Sequence, residues 1–87
     1  MKAKYHFEIM DLDDGLVAVP VGNDAEQFHG VLKVNESAVS IIKLIEQETT
    51  EEAIVNALMN EYDEEKQTIT EFVHGFIETL YNEGIIE

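Results

Sequence analysis

Three histidines, His6, His29 and His74, are the residues best suited to hold a transition metal. They fall on two predicted strands and one predicted helix, and no His-x-x-His or His-Glu-x-x-His pair is present. They read as surface or half-buried structural histidines, and no metal site is expected. Ser37 and Ser40 are the candidate nucleophiles, but neither stands in a Gly-x-Ser-x-Gly elbow, so they read as helix-start or surface residues. Asp11-Leu12-Asp13-Asp14-Gly15 has the composition of a calcium loop. Such a loop needs glycine sixth and glutamate twelfth; here glycine is fifth and the twelfth residue is Gly22. A turn is the better reading. The chain has no cysteine, which removes disulfides, thiolate ligands and a cysteine nucleophile. No phosphate loop, dinucleotide glycine pattern or paired His–carboxylate constellation stands out. Neither catalysis nor a cofactor is expected.

Charge restricts the partners. Nineteen Asp and Glu oppose five lysines (Lys2, Lys4, Lys33, Lys43 and Lys66), for a formal net charge of −14. Without arginine there is no bidentate contact to phosphate or guanine, and a phosphate backbone would be repelled. Nucleic acid is therefore not an expected partner. The acidic surface favours solubility and a cationic or neutral partner. A membrane span needs about 20 consecutive apolar residues, and no run approaches that. Met1–Met10 lacks a long apolar stretch and a small-residue cleavage site, so no secretory signal is expected and the cytoplasm is the expected compartment.

The elements that would carry these residues come in two styles. Tyr5, Phe7 and Ile9 alternate with Lys4, His6 and Glu8, which is strand period. Asp14-Gly15 predicts a hairpin with Leu16 to Val19 as the returning strand. Pro20 marks an edge, a bulge or the strand's end. Gly22 to Gln27 reads as a loop, and Phe28 to Val34 as a third strand with Phe28, Gly30, Leu32 and Val34 on one face. From Asn35, a good N-cap, the period becomes helical. Ala38, Ile41, Ile42 and Ile45 form the first stripe; Ala53, Ile54, Ala57 and Leu58, helped by Met59 and Tyr62, form the second. Thr49 or Thr50 caps the second helix, and Thr49 with Glu52 has the form of a capping box. The last helix runs from about Glu64 or Gln67 to Asn82, with Ile69, Phe72, Val73, Phe76, Ile77 and Leu80 as a stripe read first of all as core. Gly84 stands where a helix-terminating glycine belongs. The expected architecture is α+β and winged helix-turn-helix-like: an N-terminal three-stranded antiparallel sheet, then three helices, as one domain over residues 1–87.

From Leu32 onward the chain is similar to a known family. The residues are Leu32-Lys33-Val34-Asn35-Glu36-Ser37-Ala38, Ile41, Leu44, Ile45, Thr49-Thr50-Glu51-Glu52-Ala53-Ile54, Leu58, Glu61-Tyr62-Asp63, Val73, Phe76, Ile77, Leu80 and Gly84-Ile85-Ile86. Their order and spacing resemble the PqqD-like family (coenzyme PQQ synthesis protein D). Two loops depart from its pattern: Glu46-Gln47-Glu48 stands where a glycine is usual, and Glu64-Glu65-Lys66 follows Asp63 in place of an apolar residue. The acidic, helical composition is also similar to that of acyl carrier proteins, but their Asp-Ser-Leu is replaced by Asn35-Glu36-Ser37-Ala38.

The PqqD-like resemblance implies a non-catalytic module that recognises the leader of a ribosomally made, post-translationally modified peptide and presents it to a modifying enzyme, often a radical SAM enzyme. It implies a leader added as a strand beside the third strand and packed on the third helix. Carried over, the peptide-binding residues are Phe28, His29, Gly30, Val31, Leu32, Lys33 and Val34, with Ile69, Phe72, Val73, Phe76 and Ile77. Glu71 and Glu78 would steer a basic leader. The other reading is a winged-helix adaptor or regulatory domain whose partner is another protein. An open strand edge also offers a route to a homodimer by strand exchange.

Overall fold

A computed structural model describes residues 1–21 and 31–86. The chain runs β1 (Phe7–Leu12), β2 (Gly15–Pro20), β3 (Leu32–Val34), α1 (Glu36–Leu44), α2 (Glu51–Glu61) and α3 (Lys66–Asn82). The strands form one antiparallel sheet in the order β1-β2-β3. The expected α+β plan, sheet first and three helices after, is the observed one. The Phe28–Gly30 part of the predicted third strand lies outside the described residues.

The β1–β2 register pairs Phe7 with Pro20 and Leu12 with Gly15, so the two-residue loop is Asp13-Asp14. The hairpin forms as expected, one residue earlier than the Asp-Gly signal indicates. Gly15, at φ +124°, takes the positive-φ conformation, and both loop aspartates keep negative φ. Pro20 ends β2. The first strand starts later than the alternation from Lys4 suggests. The backbone N–H of Ala3 donates to Ile45 O at 2.9 Å and that of Lys4 to Ile85 O at 2.7 Å, and Ala3 bridges to Ile86. Residues 3 and 4 are thus tied to the ends of α1 and α3, while His6 O accepts from Val21 N–H at 3.1 Å beside the hairpin.

Side-chain caps start α1 and α2, Glu65 starts α3 without one, and a glycine ends α3. Asn35 Oδ1 accepts from Ala38 N–H at 2.8 Å at the start of α1. Thr50 Oγ1 accepts from Ala53 N–H at 3.1 Å at the start of α2. The cap is thus Thr50 and not Thr49, which puts Ala53 at the third helical position and leaves no capping box with Glu52. At the end of α3, Gly84 at φ +73° closes a Schellman motif, with Ile85 N–H on Leu80 O at 2.9 Å and Gly84 N–H on Tyr81 O at 3.0 Å.

The core lies between the helices and one face of the sheet. Ile41 and Ile45, Ile54 and Leu58, Val73 and Leu80 meet Ile85 there, with Phe7 and Ala18 from the sheet. The predicted α1 stripe is buried as expected. In α2, Val55 is buried and Ala53 is exposed: the inner face centres on Ile54, Val55 and Leu58, where α2 packs on the core. No described helix is long and apolar enough to cross a membrane.

Candidate functional site

The polar residues that could do chemistry are spread apart. His74 Nδ1 lies 3.3 Å from Glu51 Oε1 and its Nε2 3.6 Å from Glu78, on an exposed face of α2 and α3. His6 lies 3.9 Å from Glu46. His29 falls outside the described residues. Among the described residues no three His, Asp or Glu side chains converge as a metal site would require. Ser40 Oγ donates to Glu61 Oε1 at 3.2 Å, which ties α1 to α2.

The expected binding residues sort into three groups. In the first, β3 is an edge strand that pairs, among the described residues, with β2 alone. Leu32 and Val34 are half-buried against the core, Lys33 points out, and Val31 just ahead of them is exposed. Phe28, His29 and Gly30 lie outside the described residues. In the second, Ile69, Val73 and Ile77 are buried in the core. In the third, Phe72 and Phe76 are half-buried and pack against the core at its border. One turn apart on α3, their rings lie parallel within 3°, with centroids 6.2 Å apart.

The reason for this split is helical geometry. Ile69, Val73, Ile77 and Leu80 follow the i, i+4, i+8, i+11 line that points inward. Phe72 and Phe76 follow one residue behind, about 100° around the helix, at the border of the buried stripe. They can carry a face to solvent while their inner edges still pack.

A cavity of about 240 Å³ opens beside Phe72. Asn35 and Ser37 line it from the junction of β3 and α1, Leu58 and Tyr62 from α2, and Ile69 and Phe72 from α3. Glu64 and Thr68 complete it. Its volume suits one large apolar side chain better than a metabolite, whose pockets usually exceed about 300 Å³. Asn35, Leu58 and Tyr62 were legible as a cap and as core positions, but nothing local in the sequence shows that three elements meet around them. Glu71 is exposed and accepts from Gln67 Nε2 at 3.4 Å, and Glu78 is exposed on the same helix.

An antiparallel sheet leading into three helices, with its last strand at an edge and an apolar recess where that strand enters the helices, defines a winged-helix-like α+β module. Within that class, the chain belongs to the family described as coenzyme PQQ synthesis protein D (PqqD), which it matches over residues 9–86. Two solved structures share the fold. One, described as TbiB1 in complex with the TbiA(beta) leader peptide, aligns at TM-score 0.73 and 23% identity, over 100% of this chain and 95% of that one. The other, lasso peptide synthetase B1 complexed with the leader peptide, aligns at TM-score 0.65 and 15% identity, over 97% and 93%. No curated protein matches the chain.

Proposed function

We propose that this protein is a non-catalytic peptide-binding module that receives the leader of a ribosomally made precursor peptide and presents it to a modifying enzyme, of which a radical SAM enzyme is one candidate. The leader adds as a strand along β3 and seats apolar side chains against Phe72, Phe76 and the adjoining cavity. The cytoplasm, where precursor peptides are made, is its proposed compartment. The observation that carries this reading is the placement of an edge strand directly before a side-chain-sized apolar cavity. Membership of the PqqD family and the leader complexes of both structural neighbours support it.

Magnitudes decide which contacts matter. Three residues of β3 offer an added strand roughly three backbone hydrogen bonds, each worth about 0.5–1.5 kcal/mol net. Micromolar affinity needs about 8 kcal/mol. The ladder therefore sets direction and register, and apolar anchors supply most of the affinity at about 25 cal/mol per Å² buried. Two or three leader side chains suffice, one of them in the cavity.

The test is an NMR titration of the labelled protein with the leader half of a short precursor encoded beside its gene. Saturable shifts at Val31 to Val34 and around Phe72 and Phe76 are expected. No shifts at millimolar peptide would reject that leader, and a precursor that binds elsewhere on the protein would favour the adaptor reading.

A further inference from the structure

Between Glu8 and Lys33, the second face of the sheet carries a group of apolar side chains where water would favour polar ones. Inward, β2 buries Ala18 and Pro20; outward, it carries Val17 and Val19. Met10 stands opposite Val17 on the β1 side and Lys33 on the β3 side. An antiparallel sheet with one wet face alternates apolar with polar, whereas a strand apolar on both faces is one that is covered on both. The helices lie on the face that carries Phe7 and Ala18. Of the four large apolar side chains exposed among the described residues, three gather on or beside the outer face: Met10 at 47%, Leu12 at 48% and Val31 at 60%. The described β2–β3 pairing ends at Ala18 with Leu32, and Val31 stands just ahead of it. Isolated apolar residues on a surface need no explanation, but a contiguous group does.

The charge around this patch selects what covers it. Among the described residues, Glu8, Asp11, Asp13 and Asp14 are exposed on β1 and its turn, and Lys33 is the one lysine on the three strands. We propose that the outer sheet face docks a partner protein whose contact surface has an apolar centre and a Lys/Arg rim. A second copy of this chain would set two acidic rims together in molecules that each carry −14, and an anionic membrane or nucleic acid would meet the same repulsion. The face lies across the sheet from Phe72 and Phe76, so a partner there and a peptide at the groove meet only at Val31 and Lys33 on the β3 edge.

A synthetic amphipathic peptide of leucine and lysine only, about 14 residues long, supplies the stated chemistry as a probe. Titrated into the methyl-labelled full chain, it is expected to give saturable shifts at Met10, Leu12, Val17 and Val19. A serine/lysine peptide of equal charge and a leucine/glutamate peptide should give none there. Met10→Ser with Leu12→Ser should weaken binding about tenfold or more; should that variant fail to fold, Val17→Thr keeps a β-branched side chain and makes the same test. The proposal is overturned if both lysine peptides act alike, if shifts fall only at Phe72 and Phe76, or if the leucine/glutamate peptide binds as well. It is also overturned if sedimentation shows self-association that the Met10→Ser/Leu12→Ser protein has lost, since the occupant is then a second copy.

Discussion

A half-buried phenylalanine beside a cavity and a buried isoleucine farther along the same helix answer to different measurements. Ile77→Ala removes a side chain from the core and should cost about 2–5 kcal/mol of stability. Its effect on leader binding should appear only through the unfolded fraction. Phe72→Ala removes a ring that is half-exposed and lines the cavity. It should cost less stability, about 1–2 kcal/mol, yet lower leader affinity by roughly tenfold. Denaturant melts and calorimetric titrations on both variants check the separation; equal effects on folding and binding would place Phe72 in the core and remove it from the groove. The sequence places both residues on one stripe and has no signal that divides them, because a three-turn apolar pattern does not reveal which border residue faces a neighbour and which faces a recess. That depends on where Tyr62 and Ser37 arrive from other elements.

At the scale of elements, the caps were the most legible features and carry the most direct test. Gly84 sits at φ +73° with no atom within 4 Å of where a Cβ would stand. Gly84→Ala meets no clash, so its cost is the backbone strain of a left-handed residue, about 1–2 kcal/mol. Asn35→Ala should cost about 1 kcal/mol through the lost bond to Ala38 N–H. Thermal melts of each variant and of the pair check this, and the sites are separate enough to expect near-additivity. Asn35 and Gly84 could be read directly because a cap is a local arrangement of a few residues. The choice of Thr50 over Thr49 could not, since either satisfies the same local rule. The exchange of Ala53 for Val55 in the core was not legible either, because the inward border of α2 is set by the elements packed on it. The hairpin shows the same limit, with Asp14-Gly15 locating the turn and the strand register deciding which two residues form it.

At the scale of the whole molecule, a charge of −14 acts on every encounter. A leader rich in Lys or Arg should bind faster at low ionic strength, and its affinity should fall as salt screens Glu64, Glu71 and Glu78 beyond a Debye length of about 10 Å at 0.1 M. Titration across a salt series checks this; affinity that does not move with salt would leave the apolar anchors as the whole of recognition. The architecture was legible at this scale because period two changes to period 3.6 at Asn35. The way residues 3 and 4 join residues 85 and 86 was not, because pairing between distant segments leaves no local trace. That junction governs how the chain can be made. Ala3 bridges Ile86, and Lys4 N–H donates to Ile85 O. On the ribosome, Ala3 and Lys4 must therefore wait for Ile85 and Ile86 before this pairing can form. The hairpin and the first two helices can form early, but the seam between residues 3–4 and 85–86 closes only after Ile86 has cleared the exit tunnel. Nascent chains arrested before that point should remain open to protease at residues 1–6, and chains released just beyond it should not.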